Sequence, residues 1–282
     1  MNEFKDKINL AISPCPNDTF IFGAWIKGLL GKEKSSFLIP ELKVDYLDIQ
    51  ELNNSSKSLK YDLIKVSAAW TPYLLDHYDI LSTGGALGDH CGPLLIARSQ
   101  LSKDQLIGKK IAIPGQHTSA HFLFKFAFPN LKNTCNMLFS EIEDAILREQ
   151  VDAGVIIHEN RFTYKNKGLH LIKDLGSYWS EQTNLPIPLG LIMIRKTLPA
   201  ELKTAIKEVI LSSIHFAENN FNLLMPFIRS HSQEMEEEVI QQHITLYVNE
   251  FSKDLGVRGK EACQRLFMEV EPKTSFKDII FI

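Results

Sequence analysis

The feature that most constrains the fold of this chain is an alternation of short apolar segments with helical ones. In the first segment, Ile8, Leu10 and Ile12 are spaced two residues apart, which is the period of a strand. Strands are predicted at 8–12, 42–46, 62–68, 94–98, 110–114, 137–139, 153–158 and 190–194, and helices at 20–30, 51–60, 116–128 and 141–149. Strands that alternate with helices are typical of α/β proteins with largely parallel sheets.

The chain after Pro199 is predicted to be helical, because apolar residues recur there at helical spacing. The two main stripes are Leu202, Ile206, Val209, Ile210, Ile214, Ala217 and Phe221, and then Met235, Val239, His243, Leu246 and Tyr247.

Two of the predicted strands, Gly92–Arg98 and Pro188–Arg195, are similar apolar runs about 95 residues apart. If both cross between two lobes, residues 98–195 form an inserted smaller lobe. Residues 1–97 and 196–282 then form a discontinuous larger lobe. We therefore predict, by analogy, a two-lobed periplasmic-binding-protein-like (type II) α/β fold. Each lobe would be a mixed sheet flanked by helices, with the ligand in the cleft between the lobes.

Composition and charge exclude several classes of function. The 282 residues carry a net charge of −3 without a run of Lys and Arg, so no nucleic-acid partner is expected. No stretch approaches the roughly 20 apolar residues of a membrane span. The four cysteines lack the spacing of a metal site and are expected to be free thiols. With no apolar signal-peptide core near the N-terminus, we expect a cytoplasmic protein.

The segment after the first predicted strand, Ser13-Pro-Cys-Pro-Asn-Asp-Thr19, is a candidate binding site. Its prolines end the strand, and Asn17, Asp18 and Thr19 are residue types that cap helices. Free backbone N–H groups at a helix start suit a carboxylate or a phosphate. We predict Ser13, Asn17, Asp18 and Thr19 as ligand-binding residues, while an ordinary helix cap would show the same pattern.

A second strand-to-helix entry, Pro114-Gly-Gln-His-Thr-Ser-Ala120, is predicted on the other lobe. Gly115 allows close approach of the backbone, and Thr118 and Ser119 place hydroxyl groups beside helix N–H groups. We predict a second anion site here, with plain capping as the alternative. His117 and His121 are four residues apart, but zinc proteases have Glu directly after the first His, and this chain does not. No metal site is therefore predicted.

The third candidate is Val155-Ile-Ile-His-Glu-Asn-Arg161, in which polar groups follow an apolar strand. Open α/β sheets bind ligands at this end of their strands. His158 suits a general base near neutral pH, and Glu159 could fix its tautomer. We predict His158, Glu159 and Arg161 at the site, while a histidine satisfied by local hydrogen bonds is the alternative.

A glycine-rich stretch, residues 84–93, is predicted as a turn at the mouth of the cleft with Asp89 and His90 as polar contacts, or equally as an ordinary loop. It does not match G-x-G-x-x-G and it leads into a strand instead of a helix. A dinucleotide site is therefore not expected.

Taken together, these segments resemble the 1,4-dihydroxy-6-naphthoate synthases of the futalosine route to menaquinone. The resemblance runs from about Asn9 to Asn249. The residues that carry it are Ser13–Phe20, Gly92-Pro93, Pro114-Gly115, Thr118–Ala120, Asp152–Glu159, Arg161–Tyr164, Asp174–Gly176, Trp179 and Pro186–Gly190.

The resemblance implies a lyase that uses no cofactor. Such an enzyme converts cyclic dehypoxanthinylfutalosine, a carboxylate, into 1,4-dihydroxy-6-naphthoate with release of dihydroxyacetone. It also implies that His158 is the catalytic base. Thr118 and Ser119 would hold the acidic or polyhydroxyl part of the substrate.

Two other functions stay open at this point. One is chorismate dehydratase, which shares the fold and the pathway and also takes a carboxylate. The other is a non-catalytic solute-binding protein for a small carboxylate, against which the missing signal peptide argues. The sequence does not fix the oligomeric state, and a homodimer is one open arrangement.

Overall fold

The computed structural model describes residues 7–31, 40–233, 236–276 and 279–282. Its strands are β1 (Lys7–Ile12), β2 (Glu41–Tyr46), β3 (Leu63–Ser67), β4 (Tyr78–Gly88), β5 (Leu94–Ala97), β6 (Ile111–Ile113), β7 (Thr134–Asn136), β8 (Ala153–Ile156), β9 (His170–Asp174) and β10 (Ile187–Arg195). Its helices are α1 (Pro16–Ile26), α2 (Ile49–Ser56), α3 (Ser119–Ala127), α4 (Ile142–Leu147), α5 (Asn160–Thr163), α6 (Leu175–Thr183), α7 (Ala200–Asn219), α8 (Phe221–His231), α9 (Glu237–Tyr247), α10 (Glu250–Lys253) and α11 (Gly256–Val270).

The strands form two sheets, and each sheet is mixed. The first has the order β2-β1-β3-β10-β4, in which β1 runs parallel to β2 and β3, and β10 runs antiparallel to both its neighbours. The second has the order β7-β6-β8-β5-β9, in which β5 is antiparallel to β8 and β9. We call each sheet with the helices packed on it a lobe. The predicted α/β class with mixed sheets is confirmed.

The two apolar runs that suggested the crossings belong to different sheets. The strand β5 pairs with β8 and β9 in the second lobe, although the predicted bounds placed it in the larger lobe. The strand β10 pairs with β3 and β4 in the first lobe, although the predicted bounds placed it in the insert. An apolar strand is stabilised by pairing along its whole length within one sheet. The chain therefore passes from one lobe to the other in the segments just before these strands, at residues 89–93 and 184–186.

Side-chain periodicity explains how the first lobe packs. Ile8, Leu10 and Ile12 lie on one face of β1 and are fully buried in a cluster with Ile206 and Ile210 of α7. The predicted stripe from Leu202 to Ala217 lies on α7, whereas Phe221, its last member, is the first residue of α8. Of the second stripe, His243, Leu246 and Tyr247 lie on α9, while Met235 falls outside the described residues.

Three local predictions were wrong. The strand expected at 137–139 is β7 at Thr134–Asn136, whose pairing with β6 sets its position. The helix expected from residue 20 begins at Pro16, since proline is well suited to the first helical turn. The first part of the glycine-rich stretch, Gly84–Gly88, forms the end of β4 instead of a turn. Gly84 adopts a φ of +83° where the pairing with β10 is irregular.

The lobes are in contact along one side. A single hydrophobic cluster contains Ile64 and Val66 of the first sheet together with Ile111 and Ile113 of the second. Among the described residues, no helix combines the length and the apolar character that crossing a bilayer requires.

Candidate active site between the lobes

A cavity of about 90 Å³ lies where the two lobes meet. Its polar lining comes from both lobes and from α9: Ser13, Asn17, Asp18, Lys65, Ser67, Thr118, Ser119, His158, His243 and Tyr247. Six of these, namely Ser13, Asn17, Asp18, Thr118, Ser119 and His158, are residues that the sequence predicted. Segments far apart in the chain therefore meet at one place.

The carboxylate of Asp18 organises the first-lobe wall. It accepts hydrogen bonds from the Ser13 hydroxyl at 2.8 Å, from the Ser13 backbone N–H at 3.1 Å and from the Asn17 amide at 2.8 Å. Lys65 on β3 places its Nζ atom 2.8 Å from Asp18 Oδ1, and both side chains are buried. Lys65 Nζ also lies 3.3 Å from the carbonyl of Gly84. The ammonium group is thus held at the cavity by an opposite charge and a carbonyl.

The start of α3 forms the second-lobe wall. Thr118 caps this helix, because its hydroxyl accepts the His121 N–H at 3.2 Å. The next hydroxyl, on Ser119, accepts the Ala69 N–H of the first lobe at 3.2 Å and donates to the Leu189 carbonyl on β10 at 2.7 Å. The second predicted anion site, at the start of α3, is therefore also a contact between the two lobes in this structure.

A second polar contact joins the lobes next to Ser67. The Asn53 amide on α2 donates to the Ser67 hydroxyl at 3.0 Å and to the His117 carbonyl of the second lobe at 3.0 Å. The Asn53 side-chain oxygen, Oδ1, accepts the Ser67 N–H at 2.9 Å. The lobes are thus held together around the cavity by buried hydrogen bonds.

His158 follows β8 and lines the cavity. Its φ of +57° is in the left-handed region, which is uncommon for a residue other than glycine and is enriched at functional sites. The ring lies 4.7 Å from the Phe139 ring in an edge-on contact. The pKa of His158 is lowered to about 4, mainly by burial. The Asp18 charge partly opposes this shift, and the Lys65 charge adds to it. The imidazole is therefore neutral near pH 7.

The thiol of Cys15 contacts the His158 ring. Its Sγ atom lies 3.3 Å from His158 Nδ1. Burial and the charge of Glu159 raise the pKa of the Cys15 thiol well above its usual value. Since both groups are uncharged near pH 7, the contact is a thiol–imidazole hydrogen bond and not an ion pair.

Four predicted residues are not part of the cavity lining. The Thr19 hydroxyl donates to the Cys15 carbonyl within the first turn of α1. Gly115 packs against the Gln50 side chain, so closely that a Cβ atom would clash. Glu159 is buried beside Cys15. Arg161 is not at the cavity because its guanidinium donates to the Gly92 carbonyl and to Asp174, both at 2.6 Å, and thereby fixes the crossing before β5.

The sequence analysis missed Lys65, Ser67, His243 and Tyr247 as lining residues. A signal existed for Lys65, since a lysine in an otherwise apolar strand that is buried needs a partner. His243 and Tyr247 were assigned to an apolar helix face, and both are indeed buried. Burial raises the pKa of the Tyr247 hydroxyl well above its usual value, so the phenol stays protonated.

One group of side chains has metal-ligand chemistry. Cys15, His158 and Glu159 each offer a donor atom, and these atoms all lie within 4.8 Å of one another. Thiolate, imidazole and carboxylate are the ligand types that zinc takes in proteins.

Comparison with known proteins relates this site to a family. A family model described as menaquinone biosynthesis matches residues 8–271. A 1,4-dihydroxy-6-naphthoate synthase of Streptomyces coelicolor is 40% identical over 266 residues, which cover 93% of this chain and 92% of that protein. One of Thermus thermophilus is 38% identical over 268 residues, which cover 95% of each.

Solved structures show the same fold. A crystal structure of a protein from Archaeoglobus fulgidus matches with a TM-score of 0.86 and 34% identity, and covers 95% of this chain and 98% of that one. The alkanesulfonate-binding protein of Xanthomonas axonopodis matches with a TM-score of 0.65 and 14% identity, and covers 86% of this chain and 85% of its own. The second match concerns the fold alone and confirms the periplasmic-binding-protein-like architecture. The chain therefore belongs to the menaquinone biosynthesis family, among the enzymes named 1,4-dihydroxy-6-naphthoate synthases.

Proposed function

We propose that this enzyme converts cyclic dehypoxanthinylfutalosine into 1,4-dihydroxy-6-naphthoate and releases dihydroxyacetone, with His158 as the general base and without a cofactor. The observation that carries the proposal is His158 itself. It is a neutral imidazole held in an unusual backbone conformation at the cavity between the lobes. The names of the relatives support the naphthoate product.

The cavity offers two places for the substrate carboxylate. One is the N-terminus of α3, a nine-residue helix whose first N–H groups lie beside the hydroxyls of Thr118 and Ser119. The other is Lys65, whose ammonium lines the cavity while it is paired with Asp18. Either would place the substrate ring within reach of His158, and hydroxyl groups of the substrate would bind the remaining polar lining.

The cavity of about 90 Å³ is smaller than the roughly 300–1,000 Å³ of typical ligand pockets. We infer that the lobes part to admit the substrate and close over it. The hydrogen bonds of Asn53 and Ser119 across the lobes would then break and reform in each turnover. Closure excludes water and strengthens the electrostatic interactions inside the site.

We propose that His158 removes a proton from a sugar-derived hydroxyl group of the substrate. The electron pair of that O–H bond forms a carbonyl group, and the adjacent carbon–carbon bond breaks. Its electron pair passes to the ring fragment, whose conversion to an aromatic naphthoate supplies the driving force. A positioned general base typically contributes about 10²–10⁴-fold to the rate.

The test is a turnover assay of the purified chain with cyclic dehypoxanthinylfutalosine, in which the naphthoate product is detected by mass. We expect His158→Asn to lower kcat by about 10²–10⁴-fold while the protein still folds and binds substrate. His215→Asn is the matched control, since His215 is exposed on α7 away from the cavity.

A His158→Asn protein that turns over at the wild-type rate would contradict the assigned role of His158. If the wild-type chain forms no naphthoate but dehydrates chorismate, the reaction is that of the related dehydratase. Tight binding of a carboxylate without any turnover would instead favour a solute-binding protein. We also propose a cytoplasmic location, which the biosynthetic role of the relatives supports.

A further inference from the structure

Three metal-ligand side chains lie together beside the cavity, and they come from both lobes. Cys15 belongs to the segment between β1 and α1, whereas His158 and Glu159 follow β8. Their donor atoms lie within 4.8 Å of one another, and Cys15 Sγ is 3.3 Å from His158 Nδ1. Cys15 and Glu159 are both about 5% exposed, and His158 is partly exposed.

His243 supplies an independent observation at the same place. The Asn17 amide nitrogen donates to Asp18, so the Asn17 oxygen faces His243 Nε2 at 3.0 Å. Nε2 must therefore carry the proton. Burial, together with nearby His158, lowers the pKa of His243 well below its usual value, so the ring is neutral. His243 Nδ1 then has a free lone pair, and it lacks a hydrogen-bond partner among the described residues.

An unpartnered buried acceptor is costly, by about 1–3 kcal/mol, and therefore calls for an explanation. His243 Nδ1 lies 3.9 Å from Glu159 Oε2, next to the group described above. Because the nitrogen is unprotonated, it is already in the state that binds a metal ion. The position and the protonation state of Nδ1 thus both favour a fourth metal ligand.

The distances agree with a tetrahedral site after small movements. Zinc bonds of about 2.0–2.3 Å place neighbouring donor atoms roughly 3.3–3.6 Å apart. The separation of 3.3 Å between Cys15 Sγ and His158 Nδ1 is already in this range, and the separation of 3.9 Å between His243 Nδ1 and Glu159 Oε2 is close to it. Within Cys15, His158 and Glu159 the remaining separations are at most 4.8 Å and need shifts of about 1 Å, which side-chain rotation supplies. His243, whose ring centroid lies 6.1 Å from that of His158, must also turn towards Cys15 and His158.

The charge of the site also suits a divalent cation. A thiolate, a carboxylate and two neutral imidazoles carry two negative charges, which one Zn²⁺ balances. The carboxylates of Glu159, Asp18 and Asp48 produce a negative potential at the Cys15 sulfur. Lys65 is the opposing positive charge, and it is paired with Asp18.

We propose that Cys15, His158, Glu159 and His243 form a buried Zn²⁺ site that inhibits the enzyme when it is occupied. Zn²⁺ displaces the thiol proton to solvent and takes the lone pairs of both imidazoles, with no change of oxidation state. His158 then cannot accept a proton from the substrate. The metal site stands on the geometry alone, while the inhibitory effect rests on the function proposed above.

The test is a titration of chelator-treated full-length protein with Zn²⁺ alone, in competition with a chromophoric chelator. We expect one equivalent to bind, and binding to weaken at least tenfold in Cys15→Ser and in His243→Gln. Glutamine at 243 keeps an amide N–H for Asn17 but removes the Nδ1 donor. Cys135→Ser and His215→Gln are the controls, since both residues lie outside the cluster, and we expect them to bind as the wild type does.

A second readout does not depend on the variants. Co²⁺ in place of Zn²⁺ is expected to give thiolate-to-metal charge-transfer absorption together with the visible bands of a tetrahedral ion. No bound zinc in the folded wild type, or unchanged binding in either Cys15→Ser or His243→Gln, would overturn the site.

The turnover assay separates this inference from the proposed function. Zn²⁺ is expected to inhibit the wild type and a chelator to restore its activity, whereas Mg²⁺ should have no effect. Turnover that saturating Zn²⁺ does not slow would refute the inhibition. A chain that binds Zn²⁺ as described but converts no substrate would refute the proposed function and leave the metal site standing.

Discussion

Replacing Lys65 with Met tests the central electrostatic contact of the site. Lys65 Nζ lies 2.8 Å from Asp18 Oδ1, and the two side chains are only 4% and 1% exposed. Removing one partner of a buried ion pair leaves an uncompensated charge and typically costs about 3–5 kcal/mol. Asp18 keeps its three hydrogen bonds from Ser13 and Asn17, so we expect the low end, about 3 kcal/mol.

Chemical and thermal unfolding measure this loss. For a chain of this size, 1 kcal/mol corresponds to about 2–4 °C in Tm, so a decrease of roughly 6–12 °C is expected. Adding Asp18→Asn removes the unpaired charge, and the double variant should recover part of the lost stability. Substrate binding should weaken in both variants, because the cavity has lost its ammonium group.

Lys203→Met is the matched control for this prediction. Lys203 Nζ lies 2.6 Å from Asp79 Oδ2 in a second buried pair, which does not line the cavity. It should lose a similar amount of stability and keep the wild-type KM. A Lys65→Met protein that loses less than about 1 kcal/mol, or that binds substrate as tightly as the wild type, would refute the reasoning.

Two further predictions concern pH and the crossing between the lobes. Because the pKa of His158 is about 4 in the folded protein and 6.5 in an unfolded chain, the unfolded state binds more protons between these values. The stability that His158 contributes is therefore complete above pH 6.5 and is lost as the pH falls towards 4. We expect kcat/KM to be flat down to about pH 5 and to fall below it; a decline centred near pH 6.5 would contradict the low pKa. In Gly176→Ala, the new Cβ atom would lie 1.8 Å from the Cys91 carbonyl oxygen, so the backbones must separate where the chain crosses. We expect the free energy of unfolding in urea to fall by about 1–3 kcal/mol. Gly31→Ala should change it very little, since a Cβ atom there meets no described residue within 4 Å.

The sequence identified the segments of the site better than its individual contacts. The proline-bounded motif from Ser13, the Gly115–Ser119 entry and His158 all depend on residue types that act locally, through caps, turns and strand ends. Six of the predicted site residues therefore line the cavity. Thr19, Gly115, Glu159 and Arg161 do not line the cavity. The Thr19 hydroxyl bonds to the backbone of its own helix turn, and Arg161 bonds to the Gly92 carbonyl before β5.

By itself, the sequence determined the alternation of strands and helices, the apolar stripe of α7 and the polar segments at the strand ends. Tertiary structure alone decided that β5 belongs to the second sheet and β10 to the first. It also decided that Lys65 pairs with Asp18. His243 lies near Glu159, although the sequence pattern assigned it to an apolar helix face. The physical reason is that periodicity and capping act over a few residues. Strand pairing and the burial of charge depend instead on groups that are far apart in the sequence and that only folding brings together.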